Sequence, residues 1–206
     1  MKLIIFGASG GTGQEAVKQA LEQGHEVTAF LRNPEKFPIV HERLSVFRGD
    51  VLDPEAVEKG VRGHNAVLST LGTKPPSRQQ LVGPGTSNII QAMKRHNIRR
   101  LIVESAFFMD DEVRRRSLMV RLMVKTFMKG LYADKLQQDR VLLESGLEWI
   151  NVRPTRLTNG PKKDYRAEVG LSIGGMSNIA RSSVADFMLK QISSDEYLNK
   201  EVLLSE

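Results

Sequence analysis

A chain of 206 residues with 30 lysines and arginines, 24 acids and no cysteine has room for one domain with a real core, and it excludes disulfides, thiolate metal sites and a cysteine nucleophile. The formal charge of +6 suits a phosphate- or carboxylate-bearing ligand, while His25, His41, His64 and His96 stand in no metal-ligand spacing, so no metal is expected. The apolar run after Met1 is too short for a secretory leader, and no stretch reaches the roughly 20 apolar residues of a membrane span; the expectation is a cytoplasmic protein without membrane insertion.

Strands and helices alternate along the chain. Short apolar runs predict strands at 3–6, 26–31, 44–47, 66–70, 100–104, 147–152 and 202–204. Helical spacing predicts helices at 12–23, 54–60, 85–96 and 182–192, with Asp53 capping the second and Ser182 or Ser183 the last. Residues 109–145 read as largely helical with a break near Gly130. Residues 158–181 read as irregular, with a strand at 168–173. This rhythm predicts an α/β fold: a Rossmann-type, doubly wound parallel sheet with the first strand central, in a single domain over 1–206. The segment around 156–181 is expected to cover the substrate.

Ligands of such sheets bind beyond the C-terminal strand ends. After the first strand comes Gly7-Ala8-Ser9-Gly10-Gly11-Thr12-Gly13. A tight turn, a close approach by a pyrophosphate and a helix packed against the sheet all require the absence of Cβ atoms, and the helix N-terminus offers free N–H groups to phosphate. Strand, glycine loop and helix in that order predict a dinucleotide site. A site selective for NAD usually ends its second strand on an acid; here Arg32 stands there, with Lys36 four residues on. A guanidinium can grip a 2′-phosphate bidentately, so NADP(H) is preferred, although Glu35 nearby keeps NAD(H) open.

The Gly-x-x-Gly-x-x-Gly spacing resembles that of extended and atypical short-chain dehydrogenase/reductases. The runs after later strands carry the resemblance further: Gly49-Asp50-Val51, Ser69-Thr70-Leu71-Gly72-Thr73, Glu104-Ser105-Ala106-Phe107 and Arg153-Pro154-Thr155-Arg156. The similarity to the biliverdin-IXβ reductase (flavin reductase) group covers nearly the whole chain. It implies that Asp50 and Val51 flank the adenine and that Leu71, Gly72 and Thr73 line the cofactor's path. It also implies that Ser105 sits beside the nicotinamide, with Pro154 and Thr155 in contact with that end. Arg156 stands where that reductase has a histidine and would grip an acidic group, helped by Arg153 or Lys162.

Short-chain dehydrogenases usually carry Tyr-x-x-x-Lys as proton donor and activator. Here Tyr132-Ala133-Asp134-Lys135 is one residue shorter, which still leaves Tyr132 and Lys135 as candidates for acid and cofactor ligand. The implied activity is hydride transfer from NADPH to a planar, acidic acceptor such as a flavin, bilin or quinone, by a monomer that binds no nucleic acid. Two rivals stand beside it: a non-catalytic NADP(H) sensor of the NmrA type and an NAD(P)-dependent epimerase or dehydratase. Residues 113–131, apolar with cations at intervals, allow three readings. They are a helix packed on the domain's edge, an adaptable methionine-rich wall over the substrate, or a contact with an anionic membrane or partner.

Overall fold

The first apolar run becomes β1 (Lys2–Phe6), and both of its faces are buried, which explains why it shows no polar alternation. In the computed structural model, which describes residues 1–73, 80–170 and 177–206, β1 is flanked by β2 (Glu26–Leu31) and β4 (Ala66–Ser69), with β3 (Leu44–Arg48) outside β2. Beyond β4 come β5 (Arg100–Glu104), β6 (Glu148–Pro154) and β10 (Lys200–Ser205), all parallel. A short antiparallel strand, β8 (Arg166–Glu168), closes that edge. The eight-stranded order β3-β2-β1-β4-β5-β6-β10-β8 is the doubly wound Rossmann arrangement with β1 inside, as expected.

Alternate residues of each central strand enter opposite layers. Leu3, Ile5, Leu68 and Ile102 pack under α1 (Gly11–Glu22) and α7 (Arg181–Lys190). Ile4, Phe6, Val67, Leu101 and Val103 pack on the other face under α2 (Pro54–Val61), α3 (Val82–Arg95) and α6 (Lys129–Leu143). Asp53 caps α2 as read, its Oδ1 accepting from the amides of Glu55 and Ala56.

Two local expectations fail and a third is incomplete. First, α3 begins at Val82, three residues before the expected start, because its cap is remote. The Asp134 carboxylate on α6 accepts from the amides of Leu81 (3.0 Å), Val82 (2.9 Å) and Gly83 (2.8 Å). Close approach of the two helices is possible because Gly83 has no side chain; a Cβ there would lie 2.7 Å from that of Gln137. Second, the break expected near Gly130 is present at 126–128, just before α6, but the helical stretch is also interrupted earlier, at Ser117, between α4 (Asp111–Arg116) and α5 (Leu118–Lys125). Asp110 and Ser117 accept amide hydrogen bonds at the two helix starts, so each restart carries its own cap. Third, neither Ser182 nor Ser183 caps α7; both lie within its first turns, and Ser183 donates to Glu206 instead.

The stretch expected to be irregular also holds short strands. β7 (Arg156–Thr158) and β9 (Asn178–Ala180) pair as a small parallel sheet, and Ile179 is buried in the core. Of the strand expected at 168–173, only the part up to residue 170 can be compared, since 171–173 lie outside the described residues. β8 reaches only its first residue, Glu168, and 169–170 form a turn, so the described part of that expected strand is not one.

Candidate functional site

Gly7 leaves β1 with φ +74° and packs against β4, where a Cβ would lie 2.6 Å from the Thr70 carbonyl oxygen. Its own carbonyl accepts from the Gly10 amide at 2.9 Å and closes the turn. Gly13 is held tighter still, since a Cβ would stand 2.2 Å from the Gly7 oxygen and 2.7 Å from the Ala8 Cα. The Gln14 side chain donates to the Ser9 carbonyl and braces the loop from outside. No side chain caps α1 and its first turn holds no acid, so the amides there point outward without a protein carboxylate to satisfy them.

Beyond this loop lies a cavity of about 300 Å³ bounded by the ends of β1, β2, β3 and β4. Gly7, Ser9, Gly10, Arg32, Lys36, Val51, Leu71 and Gly72 all line it, so one pocket collects most residues expected to meet the adenosine and phosphates. Ala8, Gly11, Thr12, Gly13 and Asp50 do not line this cavity, and Asp50 Oδ1 accepts from the Leu52 amide. Thr73 does not reach the pocket wall.

Phe30, Asn33, Gly49 and Thr70 were missed as lining residues. Phe30 stacks on Phe47 at 5.4 Å between ring centroids, and Gly49 leaves room for it: a Cβ would sit 2.4 Å from the ring. Glu35, the residue that kept NAD(H) open, is paired with Arg48 at 3.2 Å. Arg32 forms no ion pair among the described residues and is exposed at the pocket rim.

Ser105 begins the other end of the site. Its amide donates to the Val152 carbonyl at 2.6 Å, while its buried hydroxyl has no partner among the described residues. The Thr155 hydroxyl, directly after Pro154 at the end of β6, is likewise buried and unpartnered among the described residues. Two orphaned hydroxyls at adjacent strand ends, bare amides at the glycine loop and a cationic rim fit a dinucleotide laid across the C-terminal edge.

Lys135 is buried, and its Nζ donates to the Glu104 main-chain carbonyl at 3.2 Å. Sequence reading missed Glu104. It is the last residue of β5, its carboxyl accepts from Thr12 Oγ1 at 3.0 Å, and burial pushes it up to about 7 against the pull of Lys135. The same burial lowers the Lys135 ammonium. The Thr12 hydroxyl is thus spent on Glu104. Arg181 was missed as well. It lies over the loop, so that a Cβ on Gly11 would stand 2.5 Å from its Cδ, and Asn159 holds its guanidinium at 2.8 Å. Only the folded C-terminal segment brings it there.

Tyr132 points elsewhere. Its ring lies under the Arg114 guanidinium at 5.1 Å and lines a separate recess of about 650 Å³ with Asp139, Arg153 and Glu201. Tyr132 and Lys135 thus share a helix without sharing a site, and the residue one full turn before Lys135 is the buried, apolar Leu131. Arg153, expected to help attract an acidic substrate, is itself buried. It bonds Asp139 at 3.0 Å and Glu201 at 2.5 Å, which fastens α6 and β10 to β6. Lys162 is engaged with Asp186 at 2.9 Å. Arg156 is exposed on β7 and has no ion pair among the described residues.

Residues 7–195 match the family described as NAD(P)H-binding. The chain is 33% identical over 111 residues to a 2-alkyl-3-oxoalkanoate reductase of Stenotrophomonas maltophilia; the match covers 51% of this chain and 33% of that protein, so it spans about a third of the relative's length. Among solved structures, an oxidoreductase of Lactococcus lactis superposes with a TM-score of 0.85 at 22% identity, covering 99% of this chain and 90% of that one. A short-chain dehydrogenase/reductase of Veillonella parvula in complex with NADP superposes with a TM-score of 0.82 at 22% identity, covering 100% and 94%.

Proposed function

The chain belongs to the NAD(P)H-binding family, and from that premise we propose that it is an NADPH-dependent reductase acting on a planar, anionic acceptor of the flavin, bilin or quinone kind. The observation that carries this reading is the charge at the end of β2. Arg32 and Lys36 line the pocket while Glu35, between them in sequence, is paired with Arg48. A 2′-phosphate would meet two cations there, whereas a bare ribose would find no carboxylate.

When bound, NADPH supplies the hydride. The chain's work is to hold and orient. The glycine-loop amides and Arg181 receive the pyrophosphate, and Val51 and Leu71 wall the adenine. The Ser105 and Thr155 hydroxyls, without partners among the described residues, orient the nicotinamide end and the acceptor's carbonyl or ring nitrogen. Lys135 and Glu104 sit behind Ser105, and they fix β5 against the loop through Thr12. Arg156, exposed at the rim, attracts the acceptor's acidic group. An anionic keto substrate in the name of the S. maltophilia relative supports an acidic acceptor. With Leu131 where the family's phenol would stand and Tyr132 turned to the other recess, the proton comes from solvent.

That same missing phenol favours a second reading, a non-catalytic sensor of the NADP(H) redox state. One assay separates the two. The purified protein is mixed with NADPH and a panel of flavins, biliverdin and quinones, and absorbance is followed at the reduced-nicotinamide band, with calorimetry of NADPH binding alongside. Turnover of any acceptor above the uncatalysed rate, lost in Ser105→Ala, supports the reductase. Tight NADPH binding without turnover across the panel overturns it in favour of the sensor.

A further inference from the structure

We infer that residues 113–133, from within α4 to the start of α6, dock the protein reversibly on an anionic lipid surface. Residues 113–133 contain six cations and no acid, and that excess equals the whole formal charge of the chain; outside the stretch, lysines plus arginines and acids balance at 24 each. Within it, α5 buries Val120 and Val124 and turns Leu118, Met119 and Leu122 outward; with Phe127 just beyond, these four are between 62% and 81% exposed. A helix that is only packing on the domain's edge would not present large apolar side chains on its solvent face. Arg114 and Arg116 are paired with Asp111 and Glu112, but Arg115, Arg121, Lys125 and Lys129 are exposed and form no ion pair among the described residues.

Apolar side chains that stand this far out, ringed by unpaired cations, match the boundary between acyl chains and anionic headgroups. Leucine and phenylalanine enter the apolar layer while the long cationic stems keep their charge at the phosphates. A second copy of the chain is disfavoured as occupant because a symmetric contact would set two acid-free cationic segments against each other. No helix among the described residues is long and apolar enough to cross a membrane, so the contact is one of surface attachment. α5 packs on Phe108 and Met109, close after Ser105, and docking would thus bring the acceptor end of the site near the lipid. This corollary rests on the reductase reading; the docking does not.

The test uses the full chain and vesicles of phosphatidylcholine alone or with about 30% phosphatidylglycerol, read by co-sedimentation at low salt and at about 0.5 M NaCl. Binding at least about tenfold tighter to the anionic vesicles and about tenfold weaker in high salt is expected. Leu122→Asp with Phe127→Ser should lower that partition about tenfold or more, and Arg121→Glu with Lys125→Glu should do the same. All four positions are exposed, and unchanged melting and NADPH affinity establish that each variant is folded. No preference for anionic vesicles, or partition unaffected by either pair of substitutions, overturns the proposal. So does a concentration-dependent dimer, seen without vesicles, that Leu122→Asp dissolves.

Discussion

Between Phe6 and Gln14 a single short run of chain builds the loop proposed to receive the phosphates. The turn, the brace and the outward amides all come from neighbours in sequence. The proposed acceptor end draws Ser105, Lys135 and Thr155 from three separate segments, and each is held by a contact that spans tens of residues, as between Lys135 and Glu104 or Ser105 and Val152. A locally encoded site is fixed by backbone sterics, so it should fail abruptly when a Cβ is added. A remotely assembled one is fixed by buried polar bonds, so it should lose stability before it loses its ligand.

The sharpest break is expected at Gly13. The nearest obstacles to a Cβ are backbone atoms at 2.2 and 2.7 Å, which cannot swing away as a side chain could. Gly13→Ala should cost about 3 kcal/mol and weaken NADPH binding by about 100-fold, read by denaturant unfolding and calorimetry. Nearly unchanged affinity would mean that the loop is more pliant than its contacts imply. Next comes Asp134, the remote cap. Asp134→Ala strands three amides at the start of α3 and should cost about 2–3 kcal/mol, yet leave NADPH affinity within about threefold once the protein is folded. A loss of affinity as large as that of Gly13→Ala would erase the distinction between the two ends.

The same distinction decides what could be read from the sequence. The parallel sheet with its first strand inside, the glycine loop and the Asp53 cap follow from local patterns, and they stand where expected. Asp134 looked like part of a Tyr-Lys motif, because nothing near it in sequence reveals a helix start some fifty residues earlier. Arg153 looked like a substrate anchor, because its carboxylate partners lie on α4's cap, α6 and β10. Glu104 and Arg181 were overlooked for the same reason. A glutamate that ends a buried strand is the one signal that could have flagged the first: a charge in that position needs a partner. For Arg181, at the first turn of a helix, no comparable signal exists.

Cofactor choice sharpens the comparison at the phosphate end. Arg32→Glu removes a guanidinium and adds a negative charge at the rim. It should weaken NADPH by about 2–3 kcal/mol, roughly 30- to 150-fold, and change NADH by less than about threefold. Calorimetry with both nucleotides checks this. Equal losses would place the 2′-phosphate elsewhere and leave Lys36 without its proposed role.

The smallest effect should come from Glu104, where the two ends meet through Thr12. Burial raises its carboxyl from 4.5 to about 7, with Lys135, the Thr12 hydrogen bond and Arg181 opposing. Between those two values the folded protein holds a proton that the unfolded chain has released. This group's contribution to stability is therefore complete below about pH 4.5 and is lost as pH rises to about 7. Lys135, lowered by the same burial, acts with the opposite sign, since its penalty is relieved as pH rises. Glu104→Gln keeps a group that can still accept from Thr12 and cannot ionise. Its denaturant midpoints should decline by about 1–2 kcal/mol less than the parent's between pH 4.5 and 7, with the difference vanishing in slope above pH 8. Repeating the series with Lys135→Met removes the partner's opposing contribution and should steepen the parent's decline. If parent and Glu104→Gln instead run parallel across the range, the carboxyl is ionised throughout, and Thr12 would then be held by a standing buried ion pair rather than by a group that loads its proton near neutrality.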